Sequence, residues 1–333
     1  MEELGFNYVV FNMHDNKWKI DHNAYYTICV EDLFHDPRII VVTWPLDYSS
    51  KFVRTLFNIH NSEKINQKIR LPLRKLWFPY YFKDKFKNNK PYCFIIVDYY
   101  YPQEYFNYLK RVYPDCKIVF LHRDLLSRFI PPLTNASFLD LEMTYDKNEA
   151  EIHKMIHFNE FESKINIPLC KDYPESDVYF AGNIKDRLEK VILAYKVFTG
   201  AGLKCKFYLV GVNENERVYL PGIEYGDSFI PYSEMLYHSV NSRCILEINQ
   251  DLADGYTSRF LEAVMFNKRL ITNNQSIKSS EFYNKDYIQI IEDFSKINTD
   301  FVTNNEPVDY HYSNQFSPVH LIEKIDNILS NKQ

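Results

Sequence analysis

Glycine is scarce in this chain, with 8 residues among 333, and seven of the eight follow residue 180. The first half contains neither a G-x-G-x-x-G run nor a P-loop lysine motif. Both motifs use glycine to bring the backbone close to a phosphate, so their absence argues against a dehydrogenase and a P-loop kinase. The glycines of the second half therefore mark the region where backbone N–H groups are expected to approach an anion.

Closely spaced cysteines, metal-ligand patterns and long apolar runs are also missing. The six cysteines form no C-x-x-C pair, which argues against a zinc or disulfide framework and favours buried thiols in a reducing compartment. No apolar stretch approaches the ~20 residues that span a bilayer, and the acidic N-terminus is unlike a secretory signal. We therefore expect a soluble, cytoplasmic protein that needs no metal.

An excess of positive charge is absent as well. The net charge is −5, so nucleic acid is not an expected partner of the whole surface. Residues 64–87 depart from this balance, because they interleave Lys and Arg with Trp77, Phe78, Tyr80 and Tyr81. This pattern is typical of peripheral contact with an anionic membrane, here on its inner face, or with a lipid-diphosphate acceptor. A solvated helix with a packed aromatic edge explains it equally well.

Short β-branched runs do occur, in two series that alternate with amphipathic helical stretches. This alternation predicts an α/β protein with two parallel sheets, each covered by helices on both faces. Ser317 as N-cap and Pro318 at the first helical position predict an amphipathic terminal helix. We predict two Rossmann-like domains over 1–168 and 169–314, and a helix over 315–333 that crosses back to the first domain.

The stretch DGYTSRFLEA (254–263) follows the apolar run CILEINQ and carries the most specific polar pattern. Tyr256 to Arg259 are predicted to start a helix, whose N–H groups, dipole and neighbouring hydroxyls favour a negative ligand. Arg259 would either pair with a phosphate or anchor a carboxylate. Glu262 would accept from a ribose diol, or would form only a surface i,i+3 salt bridge with Arg259.

An acidic residue, seven further residues and then Glu-Ala resembles the donor-site signature of glycosyltransferases with the GT-B fold, which has two facing Rossmann-like domains. Region 177–274 is similar to their second domain in the order of its segments, from VYFAGN through FYLVG and CILEIN to NKRLITNN. The chain looks most like bacterial capsule, exopolysaccharide or lipopolysaccharide glycosyltransferases. The resemblance implies metal-independent transfer of a sugar from a nucleotide diphosphate sugar, with UDP-sugar favoured, to a saccharide or lipid-linked glycan. No further cofactor is implied.

Carried over by position, the resemblance assigns roles around the signature. Glu262 would hold the ribose, and Asp254 would contact the sugar, although the family usually has glutamate there. The backbone of Gly255, Tyr256 and Thr257 would face the diphosphate. Ser258 and Arg259 complete this predicted helix start.

The diphosphate also needs a cationic partner in the family. Members usually place an arginine directly after the glycine that corresponds to Gly182, but this chain has Asn183. The resemblance therefore leaves Lys185, Arg187 and Lys190 as candidates.

Two further groups are predicted on the donor side, the first from the placement of glycines after strands and the second from the resemblance. Gly211 directly follows another predicted strand and belongs to the same anion-binding edge. The nucleotide base would lie near Phe229, Ile230 and Tyr232, and Tyr232 would equally suit a core position.

Catalytic candidates come from the first domain. His122 ends IVFLH, where many retaining members direct a histidine at the donor sugar, and a buried strand end is the alternative. Asp15 or His14, after the first strand, would act as general base if the enzyme inverts. Asp98, which ends CFIIVD, is also predicted to point at the cleft. Retention and inversion both stay open.

Two other functions fit the same pattern. A nucleotide-sugar epimerase or hydrolase would keep the donor site and need no acceptor. A non-catalytic partner subunit would keep the fold without turnover, and the departures at Asp254 and Asn183 keep this alternative open.

Overall fold

The computed structural model describes residues 3–11, 13, 23–42, 50–62, 65, 69, 72–98, 101–126, 136–169, 172–249 and 255–331. The predictions for His14, Asp15 and Asp254 lie outside these residues. Within this part of the chain, no helix is both long enough and apolar enough to cross a membrane.

The first sheet has six parallel strands. In chain order they are β1 (Asn7–Phe11), β2 (Ile39–Val42), β3 (Tyr92–Val97), β4 (Lys117–His122), β5 (Leu141–Thr144) and β6 (Ile156–His157). Across the sheet the order is β2-β1-β3-β4-β5-β6. The chain changes direction across the sheet between β1 and β3, which makes this the topological switch point.

The second sheet also has six parallel strands. They are β7 (Ser176–Asn183), β8 (Cys205–Val210), β9 (Ile223–Gly226), β10 (Ser242–Glu247), β11 (Arg269–Thr272) and β12 (Ile288–Ile290). Their order is β12-β11-β10-β7-β8-β9, so the switch point lies between β7 and β10.

Helices connect the strands and cover the sheets. The α-helices are α1 (Tyr25–Cys29), α2 (Glu31–Phe34), α3 (Lys51–Asn61), α4 (Gln103–Val112), α5 (Lys147–His153), α6 (Leu188–Gly200), α7 (Tyr232–Val240), α8 (Ser258–Met265), α9 (Asp300–Thr303) and α10 (Pro318–Ser330). Short 3₁₀ helices span Arg74–Tyr80, Glu214–Glu216, Gln275–Ser279 and Phe294–Lys296.

Both faces of the first sheet are buried, as its continuous apolar runs predict. Val10 and Ile95 belong to the core on one face, whereas Val9 and Phe94 belong to the core on the other. Successive residues of a strand point to opposite faces, so an uninterrupted apolar run fills both cores at once.

The terminal helix α10 packs against the first domain. Ser317 caps it by accepting from Val319 N, and Pro318 occupies its first turn, so both predictions for this helix start are confirmed. Its apolar side packs into the core that contains Tyr8. The fold is therefore the predicted α/β architecture of two facing Rossmann-like domains with a helix that crosses back. The exact domain limits stay predictions.

Asp326 fastens α10 to the first strand. Its carboxylate accepts from Gly5 N at 2.9 Å and from the buried Tyr8 hydroxyl at 2.8 Å. Asp326→Ala is expected to lower the free energy of unfolding by about 1–3 kcal/mol, because the Tyr8 hydroxyl loses its acceptor. Urea denaturation measures this loss, with the exposed neighbour Asn327→Ala as control. Equal stability of the two variants would contradict the assignment.

Candidate functional site

The start of α8 lies at the carboxyl edge of the second sheet, beside the switch point where ligands of open α/β sheets bind. Thr257 is the N-cap of α8, and its hydroxyl accepts from Arg259 N at 3.2 Å. The prediction that a helix starts within 256–259 is therefore confirmed. Tyr256, just before it, is buried against Phe260, with the ring centroids 4.7 Å apart.

Gly255 packs closely against Tyr145 of the first domain. A Cβ atom on Gly255 would lie 2.7 Å from the Tyr145 ring and 3.0 Å from the Tyr145 carbonyl oxygen. Tyr145 directly follows β5 of the first domain. The need for glycine here thus comes from contact between domains, and a part in diphosphate binding stays a prediction.

Glu262 is completely buried and its carboxylate is held by three side chains. Oε1 accepts from the Tyr232 hydroxyl at 2.9 Å and from Arg259 Nη1, and Oε2 accepts from Ser239 Oγ at 2.6 Å. The i,i+3 pair with Arg259 exists, but it is a core pair, which corrects the expectation of a surface salt bridge. A ribose could reach this carboxylate only if the network opened, so that role stays a prediction.

Arg259 anchors a carboxylate in this structure, which is one of its two predicted roles. Its guanidinium also lies 3.4 and 3.3 Å from the Ala181 carbonyl oxygen at the end region of β7. Burial is the largest single effect on the pKa of Arg259 and lowers it, but Glu262 together with further acidic groups around it raises that pKa by more in sum, and the guanidinium stays charged. With these partners it is not placed as a free phosphate ligand.

Glu247 is a site residue that the sequence reasoning missed. It ends β10, is 2% exposed, and accepts from the hydroxyls of Thr257 and Thr272. Burial raises its pKa, and the two hydroxyls and nearby arginines counteract that rise. Glu247 therefore ties the cap of α8 to the ends of β10 and β11. The signal was present in the sequence as one acidic residue at the end of the apolar run CILE.

Arg187 is the basic candidate whose contacts place it at the switch point. Its guanidinium donates to the carbonyl oxygens of Asn183, at the end of β7, and Ile248, just beyond β10. Burial lowers its pKa. Lys185 is exposed and has a φ of 46°, and Lys190 is half-buried on α6.

The two glycines predicted for this edge lie at strand ends. Gly182 is the penultimate residue of β7, and a Cβ there would come within 3.8 Å of the Arg187 guanidinium. Gly211 follows β8 with a φ of 79°, a conformation that favours glycine. A Cβ there would lie 3.0 Å from Asn183 Oδ1, so the turn packs tightly against the end of β7.

Of the three residues predicted near the base, Tyr232 belongs to the core. It is 5% exposed, its ring packs edge-on against Tyr25 at 4.9 Å, and its hydroxyl contacts Glu262. It offers no free face for stacking, which corrects that expectation in favour of the alternative left open. Phe229 is 51% exposed and Ile230 half-buried, so both still border open surface.

His122 is also enclosed, with no exposed surface. Its Nε2 lies 2.9 Å from Glu142 Oε1, and its ring packs against Phe120 at 4.7 Å. This placement corrects the expectation that the His122 ring faces the donor sugar. At the end of β4 the ring points into the domain core instead.

Asp98 follows β3 beside the switch point of the first sheet, and its backbone has a φ of 52°. Such a conformation is uncommon for a residue other than glycine and concentrates at functional sites. Its Oδ1 accepts from Arg123 N at 2.6 Å. Burial raises the pKa of Asp98 to about 6, against the opposing effect of Arg123.

A hydrogen-bonded chain crosses the domain interface from Glu162 through Tyr232 to Glu262. The Tyr232 oxygen lies 2.6 Å from Glu162 Oε1 and 2.9 Å from Glu262 Oε1. A hydroxyl has one proton, so one of these contacts needs the proton of a carboxylic acid. Burial and the Glu262 charge raise the pKa of Glu162 well above its usual range, which makes Glu162 the protonated member.

Metal ligands do not cluster in the described part of the chain, where no group of three or more His, Cys, Asp or Glu residues could hold an ion.

No protein-family model matches the chain, and no curated protein matches it in sequence. Among solved structures it is similar to an α-glucosyltransferase in complex with UDP and a 13-mer DNA containing a HMU base, with 10% identity and a TM-score of 0.53. That match covers 97% of this chain and 99% of the other. T4 phage BGT in complex with UDP-glucose matches with 14% identity and a TM-score of 0.47, over 98% and 94% of the two chains. The chain thus has the GT-B fold.

Proposed function

We propose that this protein transfers a sugar from a nucleotide diphosphate sugar to a saccharide or lipid-linked glycan acceptor, in the synthesis of a surface polysaccharide. The observation that carries the proposal is the start of α8, which lies beside the switch point of the second sheet and opposite the first domain. A helix start in this position favours a diphosphate through its dipole and its N–H groups.

Arg187 is the proposed cationic partner of the diphosphate, because it lies between the ends of β7 and β10. Its hydrogen bonds go to neutral carbonyl oxygens, whereas Arg259 is already paired with a carboxylate. A cation there would stabilise negative charge on the leaving diphosphate, and the reaction would then need no metal. The exposed Phe229 and the adjacent Ile230 are the proposed neighbours of the base. UDP is the first nucleotide to test, since the α-glucosyltransferase of the same fold is described in complex with UDP.

Asp98 is the proposed general base if the reaction inverts the anomeric centre. A base must be deprotonated at working pH and close to the acceptor hydroxyl. With a pKa of about 6, Asp98 is a carboxylate at neutral pH and still more basic than an ordinary aspartate. Its position at the switch point of the first sheet supports a role on the acceptor side.

A thermal-shift series with UDP, GDP, dTDP, CMP and their sugars tests the donor site. A nucleotide at a hundred times its dissociation constant stabilises the folded state by about 2.7 kcal/mol, which raises the melting temperature measurably. We expect a shift with one nucleotide class and a dissociation constant at least about tenfold higher in Arg187→Gln, since a charge-assisted contact is lost. Lys196→Gln, exposed on α6, which begins directly after Arg187, is the matched control.

Other outcomes separate the alternatives. No shift with any nucleotide would favour the non-catalytic partner subunit. A shift without acceptor-dependent product, but with an altered or released sugar, would favour the epimerase or hydrolase. The acceptor series includes saccharides, lipid-linked glycans and duplex DNA, because the α-glucosyltransferase of the same fold is described with DNA.

A further inference from the structure

An exposed apolar stripe runs along α3 of the first domain. Phe52, Leu56 and Ile59 are 71%, 43% and 48% exposed, and their i, i+4, i+7 spacing places them along one side of the helix. A neighbouring side of α3 carries Phe57, which is 5% exposed and packs into the domain. The stripe is thus exposed to a large extent, although its side chains are as large as those of a core.

A second group of exposed apolar side chains lies on and just before the 3₁₀ segment Arg74–Tyr80. Leu76 lies within this segment, and Leu73 precedes it with a left-handed φ of 66°. Leu73 is 67% exposed and Leu76 is 64% exposed. Tyr80, the last residue of the segment, is 50% exposed.

The α3 stripe and this second group belong to one packed unit. The Phe57 ring contacts the Trp77 ring edge-on, with centroids 5.2 Å apart. Trp77 Nε1 donates to His60 Nδ1 at 2.8 Å, which joins the far end of α3 to the same segment. Phe78 then packs on Tyr105 of the domain core at 5.2 Å. The exposed side chains therefore belong to elements that pack against each other and against the domain core.

This unit lies in a strongly basic part of a chain that is acidic overall. Residues 51–90 contain eleven Lys and Arg and only two Asp and Glu, whereas the whole chain has a net charge of −5. The remainder of the chain is therefore strongly negative. A nucleic acid would account for the basic residues but not for exposed Phe52, Leu56 and Leu76. An anionic bilayer accounts for both features, because apolar side chains enter the headgroup region while Lys and Arg contact lipid phosphates.

We propose that the outer stripe of α3 (Phe52, Leu56 and Ile59), together with Leu73, Leu76 and Tyr80, docks on an anionic lipid bilayer. The helix follows β2, whose carboxyl end lies at the same edge of the first sheet as Asp98. Together with the proposed function, docking by this unit would hold the acceptor side of the cleft near the lipid surface. The proposal does not depend on the transferase activity.

Co-sedimentation with vesicles tests the docking surface. Wild type is expected to bind vesicles of phosphatidylglycerol and phosphatidylcholine, to bind phosphatidylcholine alone weakly, and to be released in part by salt. The double variant Phe52→Ser, Leu56→Ser is expected to bind at least about tenfold more weakly, because two inserted side chains are lost. Ile152→Ser, which removes a 72% exposed side chain from α5, is the matched control and should bind as wild type does.

A charge variant tests the electrostatic half of the proposal. Lys85→Gln with Lys87→Gln, both exposed, should weaken binding to the anionic vesicles and leave binding to phosphatidylcholine unchanged.

Equal binding of wild type and the double serine variant would overturn the proposal. So would preference for a duplex oligonucleotide over vesicles, or a concentration-dependent dimer that the serine variant abolishes. Nucleotide-induced thermal shifts are expected to be unchanged in all these variants. A negative result for membrane docking can therefore be distinguished from a negative result for the donor site.

Discussion

Asp98→Asn is expected to lower kcat for sugar transfer by about 10²–10⁴-fold, the usual contribution of a positioned general base. The amide keeps the shape of the side chain and can still accept from Arg123 N, but it cannot take a proton from the acceptor hydroxyl. The wild-type rate should rise with pH through about 6, where Asp98 loses its proton, and level off above it. Initial rates over a range of pH measure both effects.

The stability of the same variant gives an independent readout. Because the folded-state pKa of Asp98 is raised from 3.8 to about 6, its stabilising contribution is present at low pH and is lost as pH rises through 6. Asp98→Asn should therefore hold or raise the melting temperature at pH 7.5 while it lowers the rate. Asp115→Asn, exposed before β4, is the control. An unchanged kcat together with a flat profile between pH 5 and 8 would remove Asp98 from the mechanism.

Glu262→Ala is expected to lower the free energy of unfolding by about 3–5 kcal/mol, because it leaves the buried Arg259 guanidinium without its carboxylate. The Ser239 hydroxyl would also lose its acceptor. Urea denaturation measures the loss. Lys296→Ala, which breaks an i,i+3 pair with Asp293 whose lysine is 81% exposed, should change stability by less than about 1 kcal/mol.

Glu262→Gln separates charge from shape at the same position. It keeps the side-chain volume but removes the charge opposite Arg259, so we expect a loss of stability close to that of the alanine variant. If Glu262→Gln kept wild-type stability but bound nucleotides poorly, the buried pair of Glu262 with Arg259 would not be what stabilises this part of the fold. That result would also support direct contact between Glu262 and the ribose.

The fold was largely predictable because its signals are local. Uninterrupted apolar runs such as CFIIVD fill the cores on both faces of a parallel sheet, and the Ser317-Pro318 pair fixes the start of α10. The start of α8 was predictable for the same reason, since Thr257 and the following residues carry the capping information themselves.

The orientation of individual site residues depended on partners far away in the sequence. His122 is turned inward by Glu142, and Tyr232 is enclosed by Tyr25 and Glu162 of the other domain. No pattern around 122 or 232 reveals these neighbours. Glu247 was missed because a single acidic residue at a strand end has many explanations until Thr272 is placed beside it.

The packing of α10 also has a consequence for the order of synthesis. Gly5 and Asp326 are in contact although 321 positions separate them. During translation, the residues of the first sheet emerge long before the helix that completes their core. The first domain therefore cannot reach its final packing until α10 has left the ribosome, whereas strands β7 to β12 lie close together in sequence. The residues of the first domain are thus synthesised before those of the second, but its core is completed only when α10 has been made.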